Sequence, residues 1–237
     1  MQGESDRRLL VEGGVIVLSI LLAFAIDAAW EYRGDRSRER ELLSSLAQEY
    51  QTNRATLQQT IGFVEQDLDL MRSFFSSDPA DLVDLDHPSL ANLWGALYRP
   101  QTFELASGAT SAALSSGNLD LISDPRVREL IAGWPARTND IQERAGVMVG
   151  FEQAWYEFVA QHPMAQRSLV QIGAADRDRD VAWIPSDDMV GVLGALWQDD
   201  EARARAMMRG SAAEIYVIQL GELIARVDST LALLPVE

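Results

Sequence analysis

The chain has no cysteine and no lysine. Without cysteine there is no disulfide framework and no thiol chemistry, and either side of a membrane stays open. All 20 basic residues are arginine, set against 36 acidic ones, for a net charge of −16. An acidic surface argues against nucleic acid, whose phosphates must be met by cations. Arginine to the exclusion of lysine fits the codon bias of a GC-rich genome. Histidine is scarce too: His87 and His162 are the only two, each directly before a proline in a turn. A metal centre needs convergent ligands and a serine nucleophile needs a base, and so small a histidine supply favours neither. No phosphate loop, dinucleotide fingerprint, zinc-protease motif or nucleophile elbow is present. These absences point away from an enzyme and imply no cofactor.

What the chain does have is one long apolar stretch, Leu9 to Trp30, uncharged from Gly13 to Ile26. As a helix rising about 1.5 Å per residue, it reaches about 33 Å, enough to cross a bilayer core. The expectation is a single-pass transmembrane helix over 9–30, a tail over 1–8 and a helical bundle domain over 31–237. A cleaved signal peptide is the rival reading. Arg7 and Arg8 would be its basic region, Val15 to Leu22 its apolar core, and Ala23 to Ala25 its cleavage site. Glu12, at the start of that core, and the charged, aromatic exit after Ala25 weigh against it.

Two carboxylates interrupt the run. Glu12, Ser19, Ala23 and Asp27 fall within an arc of about 80° on a helical wheel. Small residues let membrane helices approach closely, and polar groups in lipid seek partners. This face is the candidate oligomer seam. The alternative places both acids at headgroup level, marking the ends of the span, and a third option is a proton or ion path. Trp30 and Tyr32 read as interfacial anchors.

The run Val15 to Asp27, then Trp30-Glu31 and an Arg/Glu-rich helix, resembles a family of uncharacterised bacterial single-pass inner-membrane proteins. A second match is Ser116-Gly117-Asn118-Leu119-Asp120-Leu121-Ile122. The resemblance covers most of the chain on loose motifs. Asp27 departs from it, since the family more often has an amide there, and this chain lacks the long basic tail that commonly precedes the anchor. The resemblance implies architecture and no activity. It also implies a domain outside the cytoplasm, on the periplasmic side of the inner membrane. The arginine count points the other way, with Arg33, Arg36, Arg38 and Arg40 after the span against Arg7 and Arg8 before it.

No proline occurs between Met1 and Asp78, so the helix is expected to continue beyond the membrane. Leu42, Leu46 and Tyr50, then Leu57, Ile61, Val64, Leu68, Met71 and Phe75, repeat at spacings of four and three, a bundle seam. Gly34 is expected to act as a swivel just outside the membrane. Asp86-His87-Pro88 starts a helix, Phe103 to Leu114 forms another, and Asp124-Pro125 starts a third. Pro135 is expected to break or kink this last one, with a further helix over 137–161. That helix carries Phe151, Trp155, Phe158 and Val159, read as core packing ahead of a ligand pocket. Asp176, Asp178, Asp180 and Asp187 match a calcium loop defectively, because Val181 stands where the turn needs glycine. A last helix over 200–234 carries Ala213, Val217, Leu220, Ile224, Val227, Leu231 and Leu234. Two matching stripes and no alternating strand pattern predict an all-α bundle with long first and last helices.

The functional expectation is a membrane-anchored, self-associating helical scaffold or interaction protein, whose expected partners are the lipid bilayer and a homo-oligomer or membrane partner protein. Alternatives are a sensory or regulatory module answering a ligand, and a component of an ion-conducting complex.

Overall fold

The computed structural model describes the backbone of residues 2–100, 102–161 and 186–234, and side chains from Ile16 onward except those at 98, 186 and 187. Among these residues the chain is all-helical, with no strand. The helices are α1 (Gln2–Ser76), α2 (His87–Tyr98), α3 (Gly108–Ser115), α4 (Pro125–Gln161), α5 (Ser186–Gln198) and α6 (Asp200–Leu231). Short 3-10 turns occupy Pro79–Asp84 and Asn118–Leu121. The helix α1 is 75 residues long and passes through both Gly34 and Gly62. Helix starts follow their caps: Asp86 accepts from the Ser89 N–H at 3.0 Å, and Asp199 from the Ala202 N–H at 2.9 Å.

Three boundaries differ from the sequence reading. Residues 102–107 are not helical, and α3 begins only at Gly108. The last helix ends at Leu231. Pro135 lies inside a continuous α4, so the helix is not broken there and no separate helix starts at 137. Its ring is exposed, so the ring and the backbone bond it removes lie on the solvent side of the helix. The aspartates of the defective calcium loop lie outside the residues whose side chains are described.

The chain divides into two compact units. The first comprises residues 1–49, 107–132 and 233–237. Its distinctive feature is a pair of buried glutamates on α1. Glu49 accepts the Ala109 N–H at 2.6 Å, the Thr110 N–H at 3.2 Å and the Thr110 hydroxyl at 2.6 Å. Those donors are the open N-terminal amides of α3, which lacks a side-chain cap of its own. Glu39 does the same ahead of α4, accepting from the Ser123 N–H at 2.6 Å and from the Ser123 hydroxyl. Between the two, Gly117 turns the chain with φ 72°, and Ile122 is buried.

The second unit comprises residues 50–106 and 133–232. Its spine is three helices. Arg54 pairs with Asp228 at 2.7 Å and Arg72 with Glu214 at 2.5 Å, so α6 runs antiparallel to this part of α1. Gly210 packs near Leu68 and Met71 in the same register. Arg205 donates to the Ala154 carbonyl at 3.4 Å, while Arg137 and Arg226 flank one groove, so α4 is antiparallel to α6 as well. Tyr50 and Trp134 meet at 4.7 Å between ring centres, joining α1 to α4. At one end α5 packs on α2 and on the 79–84 turn, and the Trp197 indole donates to the Phe74 carbonyl at 3.1 Å.

Arg209 locks α2 onto this spine. It is 4% exposed, and its guanidinium donates to the carbonyls of Ala96 and Arg99, the latter at 2.6 Å. These carbonyls at the end of α2 have no helical partner of their own. Burial pushes the Arg209 pKa down to about 10, so the group is still charged at neutral pH.

Candidate functional site

From Ile16 to Arg36, every residue of α1 is exposed. Exposure here falls on all faces of the helix. Ile16, Leu18, Leu22 and Phe24 are each more than 60% exposed, and Trp30 reaches 69%. Ser19, Ala23 and Asp27 share one face, as their spacing dictates, and Phe24 points elsewhere. No other described element covers that face or any other along this stretch. The Glu12 side chain lies outside the described residues. Among the described residues, no helix is long and apolar enough to cross a membrane. Downstream of Ile26 the helix carries Asp27, Glu31 and Arg33.

The bare helix is fixed to the first unit by a polar relay that the sequence reading missed. The Arg36 Nε donates to the Tyr32 hydroxyl at 3.1 Å, and the guanidinium lies 5.2 Å from the Tyr32 ring centre. The same arginine donates to Glu39 at 2.7 Å and to the Ser123 hydroxyl at 2.9 Å. The Tyr32 and Glu39 hydrogen bonds raise the Arg36 pKa further. Tyr32, Arg36 and Glu39 follow one another at spacings of four and three, the only signal in the sequence that could have exposed them. Trp30 stands clear of this relay, so of the two expected interfacial aromatics only Tyr32 is tied down.

Within the second unit, the aromatic cluster of α4 divides. Trp155 and Val159 are buried. Phe151, Ala154 and Trp155 also line an open cavity of about 410 Å³ with Ala204, Arg205 and Met208 of α6. Its walls are mostly apolar, with Glu201 and Arg205 paired at 2.7 Å on the rim. Among the described residues, no three His, Asp or Glu side chains converge to hold a metal ion. No protein family, curated protein or solved structure matches this chain.

Proposed function

We propose that this protein is a membrane-anchored helical scaffold that associates with copies of itself through its first helix. The supporting observation is the segment from Ile16 to Ile26, apolar and exposed on every side. A helix apolar all round belongs in a core or a bilayer, since a single partner helix covers one face only. Covering Ile16, Val17, Leu18, Ile20, Leu21, Leu22, Phe24 and Ile26 is worth on the order of 10 kcal/mol or more. The run of Leu9 to Trp30, interrupted by Glu12 and Asp27, has the length of a span. The resemblance to single-pass inner-membrane proteins agrees, and favours a periplasmic domain.

Crosslinking in membranes tests the seam. Ala23→Leu puts bulk at the centre of the face shared by Ser19 and Asp27 and should weaken association, because close approach depends on small side chains. Phe24→Leu, about 100° away, should leave it intact. Asp27→Asn keeps hydrogen-bonding capacity and should preserve the oligomer. Unchanged crosslinking in Ala23→Leu sinks the seam. A reporter active only in the cytoplasm, fused after Glu237, should stay silent; a signal from it reverses the orientation.

A ligand-responsive module is the second reading, favoured by the apolar cavity between Phe151 and Met208. A thermal-shift screen with small apolar acids and amines separates the two. Absence of any shift leaves the scaffold alone.

A further inference from the structure

The cavity between α4 and α6 has two chemically different edges. On α6, Glu201, Arg205 and Arg209 lie on one ridge, each a helical turn from the next, and Ala204 and Met208 lie on the adjacent ridge. On α4, Phe151, Ala154 and Trp155 complete the lining. A molecule filling this space of about 410 Å³ meets charge along one edge and apolar surface elsewhere. Pockets of this size and lining hold small ligands by apolar burial and use a few polar groups to orient them.

The charged edge is short of negative partners. Arg205 directs Nε and Nη2 to a single oxygen of Glu201, at 2.9 and 2.7 Å, and Nη1 makes only a 3.4 Å bond to the Ala154 carbonyl. With three of the five guanidinium N–H groups so used, two remain. Arg209 donates to two carbonyls and to the Met71 sulfur, and among the described residues no carboxylate lies within ion-pair distance of it. The acids that act on it are Asp67, already paired with Arg99 at 2.9 Å, and Glu152. The Arg209 Nε and the Trp155 indole N–H are buried donors without a partner among the described residues. Such donors call for an acceptor, and a buried cation calls for an anion. Glu201 and Glu152 oppose a second negative charge, so the balance suits a monoanion and not a phosphate dianion.

We propose that this cavity binds a monocarboxylate with an apolar body, the carboxylate on the arginine ridge and the body against Phe151, Trp155 and Met208. The assignment rests on the ligand-responsive reading and names its ligand class. The Trp155 and Arg209 donors have almost no surface open to solvent, so the carboxylate first meets Arg205 at the rim. The Phe158 ring, 4.9 Å from the Arg205 guanidinium, holds that group in place. Met208, unbranched and 62% exposed, is the lining side chain that gives way most readily to admit the carboxylate further.

Isothermal titration of the full chain in nanodiscs of zwitterionic lipid, read against empty nanodiscs at neutral pH, tests this with octanoate, octanol and octylamine as probes. Octanoate should bind about tenfold tighter than either of the others, since only it offers the arginines a charge-assisted acceptor. Ala204→Trp, which fills the cavity from an exposed position, should abolish octanoate binding and leave the melting temperature unchanged. Arg205→Gln should weaken octanoate about tenfold and leave octanol as it was. Equal or tighter binding of octanol or octylamine, lost in Ala204→Trp, overturns the carboxylate and leaves the ligand-responsive reading standing. Octanoate binding that survives Ala204→Trp overturns the cavity as its place, and an unchanged affinity in Arg205→Gln overturns the arginine ridge. Binding of none of the three probes removes both the inference and the reading beneath it.

Discussion

At the scale of residues, the second unit turns on Arg209. Its planar fork answers two carbonyls at the end of α2, and a lysine offers a point charge in place of that fork. Arg209→Ala leaves the carbonyls of Ala96 and Arg99 without this donor and opens a void beside Met71, which lies 3.4 Å from the guanidinium. We expect a loss of about 2–4 kcal/mol in denaturant unfolding, with little rescue by Arg209→Lys. In the first unit Glu39 and Asp124 both have lowered pKa values, and Glu39 is the buried one. Burial pushes its pKa up, but the hydrogen bonds from Ser123 and the pairing with Arg36 outweigh this, so the net shift is downward from 4.5. A carboxylate with a lowered folded pKa adds stability that is complete above its unfolded pKa and is lost as the pH falls through the folded one. Stability should therefore decline below about pH 4.5, and Glu39→Gln should flatten that acid limb in melts followed from pH 6 to 3. An unchanged limb would move the acid sensitivity elsewhere.

At the scale of elements, the seams were half legible. The buried stripe of α1 is Leu46, Tyr50, Asn53, Leu57, Thr60, Val64, Asp67, Met71 and Phe74, an unbroken alternation of four and three. Reading apolar residues alone recovers Leu46, Tyr50, Leu57, Val64 and Met71, then drifts to Ile61 and Phe75, which are only half-buried. Apart from Phe74, the omitted rungs are polar, and each is answered. Asn53 exchanges two hydrogen bonds with the Ala106 backbone, at 2.9 and 2.7 Å. Asp67 accepts from Arg99 at 2.9 Å, and Thr60 donates back to the Thr56 carbonyl at 2.9 Å. Thr60 is answered within its own helix, whereas Asn53 and Asp67 are answered from far along the chain, and nothing local in a sequence announces such a partner. The same blindness hid Glu39 and Glu49, whose targets lie far along the chain. In α6, Leu220 and Val227 were found, while Val217 and Ile224 proved half-buried. Phe74→Ala should accordingly cost about 3–5 kcal/mol, and Phe75→Ala distinctly less. Leu68→Ala and Leu220→Ala should each cost about 2–5 kcal/mol. Equal melting of the two Phe variants would place the seam boundary wrongly.

At the scale of the whole molecule, charge and apolar surface make opposite demands. With a net charge of −16, the protein is repelled by anionic lipid headgroups, so electrostatic attachment to a bilayer surface is closed to it. Retention in the membrane fraction after an alkaline carbonate wash would therefore report the apolar part of α1 and nothing else. We expect full retention, and Leu18→Arg with Leu22→Arg should release the chain. Release of the unmodified chain by the wash would end the anchor reading. The helical architecture was readable from proline placement and heptad spacing. The division into two compact units was not, because α1 and α4 each contribute to both, and no linker marks the change.

The polar rungs of α1 also bear on how the chain is made. Synthesis runs from the N-terminus, so α1 leaves the ribosome complete while α6, which covers its seam, is more than a hundred residues away. At about 5–20 residues per second, that seam stays uncovered for roughly 5–25 s. A wholly apolar stripe so long would invite neighbouring nascent chains. Asn53, Thr60 and Asp67 place a hydrophilic group at every second rung, which keeps the waiting helix soluble. Ala106 and Arg99, the partners of Asn53 and Asp67, are synthesised well before α6. Replacing all three with leucine should yield a chain that aggregates during translation, even though the finished seam would be more apolar.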